Sequence, residues 1–215
     1  MRLRIIKVGI LSFILGFWVN NSVAQGIFNS LAGLPPIGQA SPVTDPSGYF
    51  SAVISPSFFN CTVLPGNVQC TGVLPVFAQL SIQLSEVPTS ATVALVSLNT
   101  LEQYENLDNF KLLQNSKTVI DQIPAIVQTF VYTELNNVER PVWMQVLNAV
   151  QGRKLVAVQI QCRSGTCAEY GAGINQVFST LHIAPLDKAG MPIKGNLKSQ
   201  NKGPTLDSVI KGLEF

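Results

Sequence analysis

Apolar positions along the chain follow two periods, and the two-residue period of β-strands is the more frequent one. Between Val76 and Leu84, apolar side chains alternate with Gln79, Ser81 and Gln83, as expected of a half-buried strand. Turn residues separate this stretch from further strand-like segments rich in β-branched and aromatic residues. The other predicted strands are 49–54, 58–64, 68–73, 117–120, 124–134, 141–150 and 155–162.

The helical period occurs twice. Thr100 and Gln103 have the spacing of a capping box, with Ser97 as the alternative N-cap, and they predict a first helix over 97–108. A second helix is predicted over 171–183. The apolar residues at helical spacing are Leu98, Leu101, Tyr104 and Leu107 in the first helix, and Tyr170, Ile174, Val177, Phe178 and Leu181 in the second.

Strands grouped in meanders, rather than alternating one for one with helices, indicate an α+β fold with an antiparallel sheet and helices packed on it. Polar residues on both faces of the strands from 124 to 162 predict a sheet that is covered unevenly. We assign a single domain to 47–186. A Pro/Gly/Ser-rich linker over 25–46 precedes it, and a flexible Lys-rich tail over 187–215 follows it.

The first 24 residues have the layout of a secretory signal peptide. Three basic residues precede a 12-residue apolar stretch (VGILSFILGFWV), and Ser22 and Ala24 fit the small-residue cleavage rule. The stretch is short for a membrane span, which needs about 20 residues. We expect cleavage after Ala24, and the alternative is an uncleaved N-terminal anchor.

Composition excludes several classes of protein. Charged residues make up 12% of the chain and apolar residues 47%, which argues against intrinsic disorder. A net charge of +2 is too small for a dedicated nucleic-acid binder. Three of the 14 basic residues leave with the signal peptide, so 11 basic residues then face 12 acidic ones.

The four cysteines predict two local disulfides if the protein is exported, because disulfides persist in oxidising compartments. Cys61 and Cys70 flank a Pro-Gly turn, and Cys162 and Cys167 flank a second tight turn. Four cysteines allow three pairings, and spacing favours Cys61–Cys70 and Cys162–Cys167. A four-cysteine zinc site would need paired C-x-x-C spacing, which the chain lacks.

Candidate chemistry is sparse, and we predict no catalytic residue, no metal site and no cofactor. His182 is the sole histidine and has no local nucleophile or acid beside it. Gly171 and Gly173 lack the third glycine of a dinucleotide fingerprint. The remaining candidates are the acidic residues Glu102, Glu105 and Asp108, read as a solvated helix face, and the aromatic residues Trp143, Tyr132 and Phe130, which would pack in the core or line a ligand groove.

Residues 49–183 resemble the PsbP-like family, named after the extrinsic subunit of the photosystem II oxygen-evolving complex. The motifs are the opening strand GYFSAVISPSF at 48–58, the turn VIDQIPA at 119–125, the hairpin formed by 141–150 and 155–162, and the final helix ending in Ser179, Thr180 and Leu181. Gln122 stands where the family turn prefers glycine.

This resemblance implies an α-β-α sandwich in a periplasm or thylakoid lumen, and a non-enzymatic accessory or assembly role. We therefore expect the chain to bind a membrane-associated protein complex on its periplasmic or lumenal side. The Lys-rich tail would add a weak, salt-sensitive contact to acidic partners or anionic lipid. The alternative is a ligand-carrying module that uses the sheet face near Trp143 and Tyr132.

Overall fold

The computed structural model describes residues 40–135 and 139–193. The predicted signal peptide, the linker up to residue 39 and the tail from residue 194 lie outside the described residues. The strands and helices in chain order are β1 (Ser41–Thr44), β2 (Phe50–Ile54), β3 (Phe59–Leu64), β4 (Asn67–Gly72), β5 (Ala78–Glu86), α1 (Val93–Tyr104), β6 (Lys111–Ile120), β7 (Ile123–Leu135), β8 (Glu139–Gln151), β9 (Lys154–Arg163), a 3-10 turn (Cys167–Tyr170), α2 (Gly171–Thr180) and β10 (His182–Ile183).

Two antiparallel sheets form the described fold. The large sheet has seven strands in the order β3-β4-β5-β9-β8-β7-β6, and the small sheet has three in the order β1-β2-β10. Tight turns connect the neighbours β6 to β7 and β8 to β9, as expected of antiparallel meanders. The predicted α+β fold, an antiparallel sheet with helices packed on it, is confirmed.

The two faces of the large sheet are covered differently. We call the face toward α2 and the small sheet the inner face, and the opposite one the outer face. The inner face carries the main core, to which α2 contributes Ile174, Val177 and Phe178. On the outer face, α1 packs on β7 and β8. The helices therefore lie on opposite sides of one sheet, which is a sandwich of α, β and α layers.

Strand β1 corrects the predicted linker over 25–46. Ser41–Thr44 pairs antiparallel with β2, from Ser41 opposite Ile54 to Thr44 opposite Ser51. The Pro/Gly/Ser composition favoured a linker, but Pro42 is tolerated because β1 is an edge strand. Ordered structure in this part of the chain thus begins before residue 47.

Helix α1 begins four residues before its predicted start. Thr92 is the N-cap, and its hydroxyl accepts a hydrogen bond from the amide of Leu95 at 3.2 Å. Thr100, the predicted cap, lies inside the helix, where its hydroxyl donates to the carbonyl of Val96. The true cap lacks a glutamate or glutamine three residues later, so the capping-box pattern did not mark it.

The chain leaves helix α2 at Thr180, earlier than the predicted end at residue 183. The Thr180 hydroxyl donates to the carbonyl of Gln176 and accepts from the amide of Val53 on β2. The next residues form β10, where His182 pairs with Ser51. The backbone groups of residues 182 and 183 therefore form strand hydrogen bonds with β2 in place of the helical hydrogen bonds of a longer α2.

Part of the predicted tail is ordered next to the small sheet. Leu186 and Pro192 form a β-bridge, and the amide of Asp187 donates to the carbonyl of Met191. The hydroxyl of Tyr49 donates to the carbonyl of Gly190 at 3.2 Å. Among the described residues, no helix combines the length and apolar character needed to cross a membrane.

Candidate functional site

The outer face of the large sheet is the candidate interaction surface because α1 covers only part of it. Beyond the helix, β5 and β9 present rows of polar side chains that alternate with the inner core residues. Gln79 lies opposite Gln161, and the two amides are joined by a hydrogen bond of 2.7 Å. We call this surface the glutamine face, defined by Gln79, Ser81, Gln83, Gln159 and Gln161.

Four of these five side chains are half-buried, and Ser81 is buried beneath them. The pattern from 76 to 84 already predicted a polar face on β5. It could not show that β9 lies beside β5, because the two strands are about 80 residues apart in sequence and their register is set by the whole sheet.

An aromatic cluster seats the C-terminal half of α1 on the outer face. The ring of Tyr104 lies 4.8 Å from that of Phe130 and 5.8 Å from that of Tyr132, measured between centroids. Phe110 adds a contact of 5.5 Å to Phe130. These distances are typical of tilted aromatic pairs, which stabilise packing beyond the area they bury.

Burial keeps the two tyrosines of this cluster neutral. It raises the pKa of Tyr104 to about 12. Burial also raises the pKa of Tyr132, with smaller contributions from Tyr104 and Glu134. Burial therefore favours the neutral phenols, and both rings pack at the C-terminal end of α1.

The N-terminal half of α1 rests on polar groups instead. The amide of Asn148 on β8 donates to the hydroxyls of Ser97 and Thr100, at 3.4 and 3.3 Å. Beside Asn148, Gln128 on β7 is 1% exposed, and its amide oxygen has no hydrogen-bond partner among the described residues. A buried acceptor without a partner costs free energy, so this oxygen lowers the stability of the fold.

Replacing Gln128 by methionine is therefore expected to raise the free energy of unfolding by about 1 kcal/mol, because an apolar side chain of similar length leaves no unsatisfied oxygen. Urea denaturation of the two proteins measures the change. Gln159→Met is the matched control, since Gln159 is half-exposed, and it should leave stability nearly unchanged. A clear destabilisation by Gln128→Met would show that the Gln128 amide has a partner.

The two predicted ligand residues lie on opposite faces of the sheet. Tyr132 sits opposite Val142 in the β7–β8 register, and Val131 sits opposite Trp143. Trp143 is 0% exposed in the inner core, whereas Tyr132 belongs to the outer aromatic cluster with Phe130. Trp143 shares a face with its partner Val131, and Tyr132, the next residue on β7, points to the opposite face. A groove lined by both Trp143 and Tyr132 is therefore ruled out.

His182 is buried and pairs with an aspartate that the sequence did not single out. Its Nδ1 lies 2.8 Å from Oδ2 of Asp121, in the turn between β6 and β7. The same carboxylate oxygen accepts the amide of Ile183 at 2.8 Å. Both imidazole nitrogens are inaccessible to solvent. The pair ties β10 to the β6–β7 turn.

The other chemical candidates have plain structural roles or positions. Glu102, Glu105 and Asp108 are exposed, and no group of three His, Cys, Asp or Glu side chains within the described ranges could hold a metal ion. Gly173 packs against Phe58, where a Cβ would lie only 2.8 Å from the ring. This glycine permits close contact between α2 and the chain before β3.

The four cysteines are joined as two local pairs. Cys61 and Cys70 lie directly opposite each other on β3 and β4, with their Cα atoms 4.0 Å apart. Cys162, at the end of β9, is bonded to Cys167, at the start of the 3-10 turn, with a Cα separation of 5.5 Å. The second bond fixes the path from the large sheet toward α2.

Comparison with known proteins gives no family by sequence. No family model matches the chain. No curated protein matches it either. Similarity appears only at the level of three-dimensional structure.

Three solved structures illustrate that similarity. LpqN of Mycobacterium tuberculosis, involved in cell envelope biogenesis, matches with a TM-score of 0.52 at 15% identity over 68% of this chain and 91% of LpqN. The cyanobacterial PsbP (CyanoP) of Synechocystis sp. PCC 6803 gives 0.49 at 15% identity, over 74% of this chain and 99% of its own. The Ran-binding protein Mog1p of Saccharomyces cerevisiae gives a TM-score of 0.48 at 11% identity, over 67% of this chain and 95% of Mog1p.

At these identities the similarity concerns the fold alone. The chain shares the fold of LpqN, an α+β fold as the sequence resemblance implied. A common fold of this kind does not by itself assign a ligand or a partner.

Proposed function

We propose that this chain is an exported, non-enzymatic accessory protein that binds a membrane-associated protein complex on its periplasmic or lumenal side. The glutamine face is the surface that we assign to this contact. The observation that carries the proposal is its position on a rigid sheet beside α1, where β5 and β9 present amide side chains to the surroundings.

Amide side chains suit a protein partner because each one both donates and accepts hydrogen bonds. Gln83 and Gln159 belong to the two neighbouring strands and lie on the same face, so a partner would meet a flat array rather than a cleft. A flat polar surface of this kind matches the hydrogen-bonded character of non-obligate protein interfaces.

Two observations support export. The four cysteines are joined as disulfides, which persist in oxidising compartments. LpqN, whose fold this chain shares, is involved in cell envelope biogenesis. We extend an envelope location to this chain by analogy of fold, together with the signal-like sequence at 1–24.

A non-enzymatic role agrees with the position of the sole histidine, which is buried against Asp121. A ligand carrier has less support. The depression between the small sheet and the β8–β9 hairpin, lined by Tyr49, Leu84 and Lys154 among others, offers only about 10 Å³ to the centre of a water molecule, which is room for roughly one water. Pockets for small molecules usually measure roughly 300–1,000 Å³.

The Lys-rich tail over 187–215 supplies a second, weaker contact in this proposal. Its five lysines attract acidic protein surfaces or anionic lipid, and salt weakens that attraction.

Site-specific photocrosslinking tests the proposal. A photoreactive amino acid at Gln159, in the full chain expressed in its native host, should give one discrete protein adduct in the membrane fraction. The control position is Ala172, which is exposed on α2 at the opposite side of the sheet and should not give this adduct. Binding of the purified partner should then fall at least about tenfold with Gln159→Lys, as for a central interface residue. Equal adducts at both positions, or none at Gln159, would contradict the assignment of the glutamine face.

A further inference from the structure

Strand β6 is an unusually long free edge of the large sheet. It runs for ten residues, Lys111–Ile120, and no described element pairs with the edge of β6 that faces away from β7. The opposite edge strand, β3, has six residues, and the edge strand β1 of the small sheet has four. A long edge presents a row of backbone donors and acceptors that can pair with another extended chain.

The register identifies which backbone groups point outward. Ile120 and Ile123 flank the two-residue turn at Asp121 and Gln122, so their amide and carbonyl groups face each other. Backbone groups alternate in direction along a strand. Asn115, Lys117 and Val119 therefore direct their amide and carbonyl groups away from β7.

The side chains along this edge have a definite chemistry. Val119 is 59% exposed and Leu112 is 40% exposed, and both lie on the outer face, opposite Pro124 and Phe130. A register shift between Leu112 and Gln114 brings Leu112 onto this face. Lys111 and Lys117 are exposed as well, and β6 contains no acidic residue.

We propose that the β6 edge binds an extended, acidic segment of a partner protein, which adds an eighth strand to the large sheet. The outward backbone groups supply the hydrogen bonds, Leu112 and Val119 contact apolar side chains, and the two lysines select acidic ones. The β6 edge is a different surface from the glutamine face, so a negative result for one does not bear on the other.

Charge favours an acidic partner segment over two other possible occupants of this edge, the C-terminal tail and a second copy of the chain. The C-terminal tail over 187–215 carries five lysines against three acidic residues, so its net positive charge would be repelled by Lys111 and Lys117. A second copy paired through β6 would bring like charges together near the two-fold axis. An acidic strand is the occupant that complements the edge.

The test uses the purified mature chain and an acetylated nine-residue peptide, TVTETYTVE, whose glutamates would face the two lysines in antiparallel pairing. The comparison peptide TVTKTYTVK has lysine in place of glutamate. We expect the acidic peptide to bind about tenfold more tightly, because two ion pairs replace two like-charge contacts. Calorimetry measures both affinities.

Amide hydrogen exchange identifies the mode of binding. The amides of Lys117 and Val119 should gain protection when the acidic peptide is saturating. The amides of Ser116 and Thr118 face β7 and should change little. Peptide binding without protection at Lys117 and Val119 would show a contact through side chains alone and overturn strand addition.

Three variants complete the test. Asn115→Pro removes an outward donor and should abolish binding, whereas Asn115→Ala should bind normally; unchanged protection at Ser116 verifies that β6 stays paired with β7. The double substitution Lys111→Glu/Lys117→Glu should reverse the preference toward the lysine peptide, and it needs no change in the backbone. No binding of the acidic peptide, or equal binding of the two peptides, would contradict the proposal. It would indicate instead that the lysines prevent β6 from pairing with other chains.

Discussion

Trp143→Ala is expected to lower the free energy of unfolding by about 3–5 kcal/mol, the usual cost of removing a fully buried tryptophan. Trp143 is 0% exposed and lies on the inner face of β8, between Val131 on β7 and Cys162 on β9. Removing it leaves a large cavity in the main core beside the disulfide to Cys167. Urea denaturation of the oxidised protein, followed by circular dichroism, measures the loss.

The matched comparison separates packing from ligand binding. Trp143→Phe keeps a ring in the same place and should cost less than half as much as Trp143→Ala. Tyr132→Ala removes a ring from the outer cluster instead and should loosen α1. A loss below about 1 kcal/mol for Trp143→Ala would mean that the inner face is not the main core, since such small values belong to surface sites.

The fold could be predicted largely because its strands carry local signals. Alternation from Val76 to Leu84 and the turn at Gly152 act within a few residues, and the corresponding strands formed as expected. The turn at Asp121 and Gln122 formed although Gln122 replaces the preferred glycine, and both residues adopt positive φ angles of 49° and 68°. Element boundaries were less predictable, as the start of α1 at Val93 shows.

The candidate site depended on contacts between distant parts of the chain. The glutamine face needs β5 beside β9, and the pair His182–Asp121 joins residues 61 positions apart. The opposite orientation of Trp143 and Tyr132 follows from the β7–β8 register, which the sequence alone did not supply. Strand β1 was missed because its pairing with β2, rather than its own composition, makes it a strand.

Asp45→Ala is expected to lower the free energy of unfolding by about 2 kcal/mol, because it leaves one buried and two partly buried amide groups without their acceptor. Asp45 is 1% exposed. Its carboxylate accepts hydrogen bonds from the amides of Ser47 at 3.2 Å and Tyr49 at 3.1 Å within the turn that leads into β2. It also accepts one from the amide of Gly66 at 2.7 Å, in the β3–β4 turn, and so ties the small sheet to the large one.

Asp45→Asn provides the control for this substitution. The asparagine keeps one oxygen acceptor but places an amide NH2 group where the second oxygen was, so it should lose part of the stability and not all of it. Amide hydrogen exchange at Gly66 reports the link between the sheets directly. We expect exchange at Gly66 to be faster in Asp45→Ala than in the parent protein, and exchange at Gly152, in a turn distant in sequence, to be unchanged. An Asp45→Ala protein as stable as the parent would show that water replaces the carboxylate at no cost, and that the small sheet is held by Phe50, Ala52 and Ile54 in the core alone.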